Sequence, residues 1–127
     1  MDEKTLAQYL ADKPEAELDY PFGPEAQVYK VAGKMFALLY SHQGTVRVNL
    51  KCNPEQAQQL RDVFAGILPG YHMNKRHWNT ILLGQDVPDG EVRRLVDHSY
   101  GLVLAGLPKA KRRHFETCYP ADQLYCD

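Results

Sequence analysis

The chain has 127 residues, of which 44% are hydrophobic and 24% charged, and its formal net charge is −1. This length predicts one domain, and the composition excludes disordered and fibrous proteins. Near-neutral charge weakens any general attraction to nucleic acid, but the charges are unevenly spread. Acids dominate residues 1–25, whereas cations cluster at 109–113.

The same composition gives expectations about compartment and cofactors. No apolar run approaches the roughly 20 residues that span a bilayer, so we expect a cytoplasmic protein with no membrane partner. The three cysteines, Cys52, Cys118 and Cys126, form no CxxC pair. That argues against a disulfide framework and a structural zinc site, and we predict no metal and no other cofactor. Cys52 is interpreted as a small strand residue and not as a reactive thiol.

The N-terminal half predicts a helix and then three antiparallel strands. Asp2 can cap the helix, and Pro14 stops it. Residues 20–24 hold two prolines and a glycine, which favour a loop whose aromatic residues lie over the sheet. The strands are predicted from apolar periodicity at 26–31, 35–40 and 45–51. Strict alternation in the third strand places three polar residues on its outer face: Arg47, Asn49 and Lys51.

The C-terminal half predicts two further helices with one or two strands between them. Asn53-Pro54 is a strong helix start, since Asn caps and Pro suits the first helical position. Residues 71–83 supply the strands, and a last helix begins at residues 88–91 and keeps helical spacing to Leu107. The chain is therefore predicted to form one α+β domain over residues 1–114. Residues 115–127 form a tail to which we assign no role.

One stretch, residues 71–80, concentrates polar and aromatic chemistry. It holds two histidines, two cations, two side-chain amides and the only tryptophan of the chain. A cation beside an exposed indole can engage a phosphate and stack on a base. Alternatively Trp78 fills the core, His77 satisfies a buried backbone group and Asn74 shapes a turn. The sequence leaves both interpretations open, although burying Lys75 without a partner would be costly.

Four motifs, in this order, resemble the MmcQ/YjbR-like family of small bacterial proteins, and the likeness runs from about residue 5 to about residue 114. They are Tyr20-Pro21-Phe22-Gly23-Pro24, residues 31–37, residues 69–79 and Asp97-His98-Ser99-Tyr100. The resemblance implies a two-layer α+β fold, with an antiparallel sheet and helices packed on one face, related in outline to type III secretion chaperones. Members of the family are commonly labelled DNA-binding, and their hairpins are likened to a pair of wings.

We therefore predict a non-enzymatic DNA-binding domain that contacts nucleic acid through its hairpin wings and a basic, aromatic edge. The predicted nucleic-acid-binding residues are Lys34, Arg47, Lys51, Asn74, Lys75, Arg76, His77 and Trp78. The alternative is a protein-interaction domain, chaperone-like or adaptor, that binds no nucleic acid. A third hypothesis is small-anion binding at Lys75 and His77.

The sequence gives little support for catalysis. It contains no GxSxG, no P-loop and no paired-carboxylate motif, and His72 and His77 do not have the spacing of a helical HExxH zinc site. Cys52 could pair with a distant histidine as a nucleophile, but nothing in the sequence positions the two. We expect that the protein is not an enzyme.

Overall fold

The computed structural model describes residues 1–125, and these residues form one antiparallel sheet with a layer of helices on one side. The sheet has six strands in the order β1-β2-β3-β4-β6-β5. Their bounds are β1 Glu17–Asp19, β2 Gln27–Val31, β3 Lys34–His42, β4 Thr45–Lys51, β5 Ile67–Pro69 and β6 Trp78–Leu82. The central strands β2, β3 and β4 are joined by the two predicted hairpin turns, at Ala32-Gly33 and Gln43-Gly44.

The helices are α1 Glu3–Ala11, α2 Pro54–Val63, α3 Asp89–Ala105, α4 Lys109–Cys118 and α5 Ala121–Leu124. The core lies between them and one face of the sheet, where fully buried strand residues such as Leu39, Val48 and Ile81 meet Leu6 and Leu104 of the helices. The predicted α+β fold, with helices packed on one face, is confirmed. No helix within residues 1–125 is both long enough and apolar enough to cross a membrane.

The predicted helix starts are present with their capping hydrogen bonds. The Asp2 carboxylate accepts the Thr5 N–H at 2.8 Å and begins α1. The Asn53 side-chain oxygen accepts the N–H groups of Glu55 and Gln56, at 3.0 and 3.4 Å, and begins α2. Such side chains satisfy backbone donors that have no partner inside a helix, and each contributes about 1 kcal/mol.

Helix α3 is fastened to the sheet where β3 begins and β4 ends. The Ser99 hydroxyl donates to the Phe36 carbonyl at 2.6 Å and accepts the Lys51 N–H at 2.9 Å. Tyr100 packs edge-on against the Phe36 ring and donates its hydroxyl to the Pro14 carbonyl at 2.7 Å. Phe36 is the additional residue of a β-bulge, since Tyr29 pairs with Ala37 but Lys30 pairs with Met35.

The structure differs from the sequence analysis in the C-terminal segment. The last predicted helix ends at Ala105, and Pro108 begins a new helix, α4, that crosses residue 114 without a break. Phe115 and Leu124 are both buried in the core, 3% and 1% exposed. Gly101 permits this packing, because a Cβ there would lie 3.2 Å from the Leu124 carbonyl oxygen. Of the segment 115–127, Cys126 and Asp127 lie outside the described residues.

We expect Leu124→Ala to lower the free energy of unfolding by about 2–5 kcal/mol, because it removes a fully buried leucine and leaves a cavity. Urea denaturation followed by circular dichroism measures the change. Val63→Ala is the control; that side chain is 71% exposed, so its removal should change stability by less than about 0.5 kcal/mol. Equal stability of the Leu124 variant and the parent would show that the C-terminal segment does not belong to the core.

Candidate nucleic-acid interface

The strand register brings four of the predicted cations to one end of the sheet. Lys34 is the first residue of β3, and Lys51 is the last of β4, on the neighbouring strand that runs the opposite way. Lys51 pairs with Trp78, the first residue of β6, and Lys75 and Arg76 lie in the loop just before it. We call this surface, formed by Lys34, Lys51, Lys75, Arg76 and Trp78, the cationic end.

The side chains of the cationic end are accessible, and their cations form no ion pair with an acid among the described residues. Lys34, Lys75 and Arg76 are exposed, whereas Lys51 and Trp78 are half-buried. Within residues 1–125, none of these four cations has a carboxylate oxygen within 4.0 Å. The Lys75 ammonium instead lies 3.3 Å from the Gly70 carbonyl oxygen. The acidic N-terminal residues therefore do not neutralise this surface through ion pairs.

The loop that carries Lys75 and Arg76 is held in place by its neighbours. The Asn74 side-chain oxygen accepts the N–H groups of Arg76 and His77 at 3.0 and 3.3 Å, so Asn74 shapes the turn. The Arg61 guanidinium donates to the Lys75 carbonyl at 3.4 Å and to the Asn79 side chain at 2.7 Å. His77 is half-buried, and its carbonyl accepts the Cys52 N–H at 2.8 Å.

Arg47 lies apart from the other predicted cations. It is four residues before Lys51 on β4, which corresponds to about 13 Å along the strand. Arg47 is half-buried, and its Nε is enclosed without a hydrogen-bond partner among the described residues. The two hairpins share β3, so their tips lie at opposite ends of the sheet: Ala32-Gly33 near the cationic end, Gln43-Gly44 at the other.

The basic segment 109–113 belongs to α4, in the helix layer. Its neighbour His114 places Nε2 2.7 Å from a carboxylate oxygen of Glu15, and the Arg112 guanidinium donates to the Ala105 carbonyl at 3.3 Å. Arg112 is thus engaged with the body of the protein, and the neighbouring His114 with an acid.

The sheet face opposite the helices carries features that the sequence analysis missed. We call it the helix-free face; its central residues are Leu38, Tyr40, Arg47, Asn49, Lys51 and Thr80. Asn49, predicted to be outward, is fully buried, because the loop at Tyr71 covers it. Its Nδ2 donates to the Tyr71 carbonyl at 3.0 Å, and its Oδ1 accepts the hydroxyls of Tyr40 and Thr80 at 3.0 and 2.7 Å.

Two loops on the helix-free face enclose a groove of about 520 Å³ above β3. Residues 22–26 form one wall, residues 71–73 form the other, and the floor consists of Met35, Leu38 and Tyr40. Phe22, expected to lie over the sheet, is 71% exposed and forms part of a wall. The Tyr71 ring lies 6.4 Å from that of Tyr40 and 5.0 Å from that of His42, measured between centroids.

His72 completes the aromatic wall in a conformation that few non-glycine residues adopt. Its φ is +58°, and its ring centroid is 4.0 Å from that of Tyr71. Positive φ is uncommon for non-glycine residues, although histidine adopts it more often than most, and support from the surroundings stabilises it. The hydrogen bonds of Tyr71 to Asn49 and Thr80 supply that support on one side.

Comparison with known proteins decides the family. The YjbR family model matches residues 11–102 of the chain. The chain belongs to the YjbR family. It is 38% identical over 117 residues to the uncharacterized protein YbdF of Escherichia coli O157:H7, covering 89% of this chain and 96% of YbdF. It is 36% identical over 108 residues to the uncharacterized protein YjbR of Escherichia coli K12, covering 85% of this chain and 92% of that protein.

Solved structures of similar proteins share the fold. The Deinococcus radiodurans protein DR2400, with a DUF419 domain, is 35% identical and superposes with a TM-score of 0.81, covering 87% of this chain and 85% of that one. A Pseudomonas syringae protein is 29% identical, with a TM-score of 0.72, and the match covers 80% of this chain and 98% of the other. The family resemblance found in the sequence is therefore confirmed.

The environment of Cys52 in this YjbR-family chain disfavours the thiolate. The residue is 3% exposed, and burial raises the pKa of its thiol to about 11, although the charges of Arg94 and Arg61 act in the opposite direction. The thiolate is the nucleophilic form of cysteine, so this thiol is a poor nucleophile near neutral pH. In the part of the chain that the structure describes, no three His, Cys, Asp or Glu side chains come together in a way that could hold a metal ion.

We expect Cys52 of the folded chain to react slowly with a thiol reagent at pH 8, because about one thiol in a thousand is ionised three units below its pKa. The measurement uses a Cys118→Ser, Cys126→Ser variant, in which Cys52 is the remaining thiol, with and without denaturant. Denaturant should restore a fast reaction. Equally fast reaction in both conditions would contradict the burial of Cys52.

We also expect Gly70→Ala to disturb the cationic end. A Cβ at Gly70 would lie 2.7 Å from the Trp78 Cβ and 2.9 Å from the Trp78 carbonyl oxygen, so the backbone has to move. The expected loss of stability is about 1–3 kcal/mol by urea denaturation.

Gly90→Ala is the matched control for that change. A Cβ at Gly90 would meet nothing within 4 Å, and alanine favours the helix, so this variant should be unchanged or more stable by up to about 1 kcal/mol. The close approach of Gly70 to Trp78 would be refuted if the two variants lost the same stability.

Proposed function

We propose that this YjbR-family chain is a non-enzymatic DNA-binding domain of the cytoplasm and that it contacts phosphates through the cationic end. The observation that carries the proposal is the convergence of Lys34, Lys51, Lys75 and Arg76 at one end of the sheet, without carboxylate partners among residues 1–125. Cations grouped in this way create a local positive potential on a molecule whose net charge is −1.

Each residue of the proposed site has a distinct role. The four cations neutralise phosphates, and half-buried Trp78 beside them offers an indole for stacking. Asn74 and His77 act indirectly, because the Asn74 oxygen is already bonded to two backbone amides and holds the loop. Arg47 lies about 13 Å away along β4 and would contribute only to a ligand that crosses the sheet.

The size of the site sets the expected strength of binding. Four phosphate contacts on duplex DNA predict a log–log salt dependence with a slope of roughly −3 to −4. Such a site binds without sequence preference, with a Kd of about 10⁻⁴ to 10⁻⁶ M at physiological salt. Affinity should therefore be measurable at low salt and fall steeply as salt rises.

A second candidate, a protein-interaction domain, is favoured by a different surface. Leu18, Tyr20 and Phe22 are 47%, 46% and 71% exposed, close together in the chain. Leu18 lies in β1, which is an edge strand of the sheet. Exposed apolar residues on an edge strand suit the addition of a strand from a partner. If this candidate is right, the chain does not bind DNA, even at low salt.

We expect Lys75→Ala with Arg76→Ala to weaken binding of duplex DNA at low salt and to reduce the steepness of its salt dependence. The slope should fall by about 0.9 per lost phosphate contact, hence by about 2 in the double variant. Fluorescence anisotropy of a labelled duplex, titrated at several salt concentrations, measures both quantities.

Lys111→Ala with Arg113→Ala is the charge-matched control, because it removes two exposed cations from α4. This variant should keep the slope of the parent. An equal loss of affinity and of slope in both double variants would show that net charge, and not the cationic end, governs binding. If the parent binds no DNA even at low salt, the proposed function is wrong, and the protein-interaction candidate takes its place.

A further inference from the structure

We infer that the groove on the helix-free face receives unpaired nucleobases, so that the preferred ligand of this chain is single-stranded nucleic acid. This inference rests on the proposed function, and it adds the class of ligand. It assigns a role to a surface that none of the predicted DNA-binding residues lines.

The groove and the cationic end are continuous. Lys51, a residue of the cationic end, lies on the same helix-free face of the sheet as the floor of the groove. Met73, in the wall, directly precedes Asn74 and Lys75. From Met35 to Tyr40 the floor follows β3 for about 16 Å. A strand whose phosphates lie on the cationic end therefore has the groove next to its bases.

The walls and floor of the groove suit the faces of bases. Phe22 and Tyr71 are 71% and 38% exposed, and the groove is also lined by Tyr40 and His72. Met35, Leu38 and Met73 supply apolar contact between these rings. Aromatic side chains bind bases without sequence preference, since every base has a π-face. The volume of about 520 Å³ lies within the range of ordinary ligand clefts.

The charges of the groove favour the entry of bases over that of phosphates. Its lining contains no lysine or arginine among the described residues, and its one carboxylate is that of Glu25. A carboxylate repels phosphate but accepts hydrogen bonds from the exocyclic amino groups of bases. Ser41 adds a hydroxyl that can donate or accept. The backbone of the ligand is therefore kept at the cationic end.

A duplex cannot use the groove in this way. Paired bases stack on one another and present only their edges, whereas unpaired bases can be splayed onto aromatic side chains. The wall formed by residues 71–73 is also held in place before a ligand binds. The Tyr71 N–H donates to the Thr80 hydroxyl at 2.9 Å, and the Tyr71 carbonyl accepts from Asn49. Little ordering of this wall is needed on binding.

The test compares a labelled 12-nucleotide single strand of mixed sequence with the duplex of the same sequence, at low salt, by fluorescence anisotropy with the full chain. We expect the single strand to bind at least about tenfold more tightly. Phe22→Ala and Tyr71→Ala should each weaken single-strand binding about 5- to 150-fold and leave duplex binding within about twofold.

Val63→Ala is the matched control, because Val63 and Phe22 are equally exposed, at 71%, and Val63 lies in α2. Val63→Ala should change neither the affinity for the single strand nor the affinity for the duplex. Tyr71→Ala keeps the main-chain hydrogen bonds of that residue, and urea denaturation checks that each variant is folded. A 2-aminopurine base within the strand reports stacking directly, and its fluorescence should be quenched by the parent and not by the Phe22 variant.

The outcomes separate this inference from the proposed function. Equal affinity for both ligands, or equal weakening of both by the groove variants, overturns the inference while DNA binding at the cationic end stands. Duplex binding that depends on Lys75 and Arg76 and is tighter than single-strand binding likewise overturns the inference alone. Binding of neither ligand at low salt overturns both proposals.

Discussion

The buried hydrogen-bond network of Asn49 is the interaction on which the candidate site depends. Asn49 is fully buried on the helix-free face and joins Tyr40, Thr80 and the Tyr71 backbone. A buried amide left without partners would cost about 1–3 kcal/mol, so the network holds the loop of residues 71–77 against the sheet. Together with the hydrogen bond from Arg61 to the Lys75 carbonyl, this attachment places Lys75 and Arg76 at the cationic end and forms one wall of the groove.

The opposite face of the same strands is fixed by α3. Ser99 bonds to the backbone of both Phe36 and Lys51, and Tyr100 packs on Phe36. Both contacts lie where β3 begins and β4 ends, which is the region that presents Lys34 and Lys51. The cationic end is therefore supported from below by the helix layer and from above by the loop. A site built on strands supported from both sides can hold its cations in a fixed arrangement.

This arrangement explains how a chain of net charge −1 can have a locally positive surface. Acidic residues are engaged elsewhere, as in the pairs Lys30–Asp19, Lys13–Asp97 and His114–Glu15. The cations of the cationic end have no such partner in the described chain. The groove beside them is aromatic and apolar, with a single carboxylate. In the two proposals these surfaces have different roles, since phosphates and base faces differ in charge and polarity.

The sequence by itself determined the local elements. The alternation of apolar and polar residues predicted β4, and Asn53-Pro54 predicted the start of α2. The four motifs indicated the family. The sequence did not reveal that α4 and α5 complete the core. Each of these helices buries a single residue, Phe115 or Leu124, and one apolar residue makes no periodic pattern. Only the tertiary structure decided that Asn49 is buried, that Arg47 lies apart from the other cations and that two loops enclose a groove. Periodicity reports the faces of one strand, whereas the cover over a face comes from residues far away in the chain.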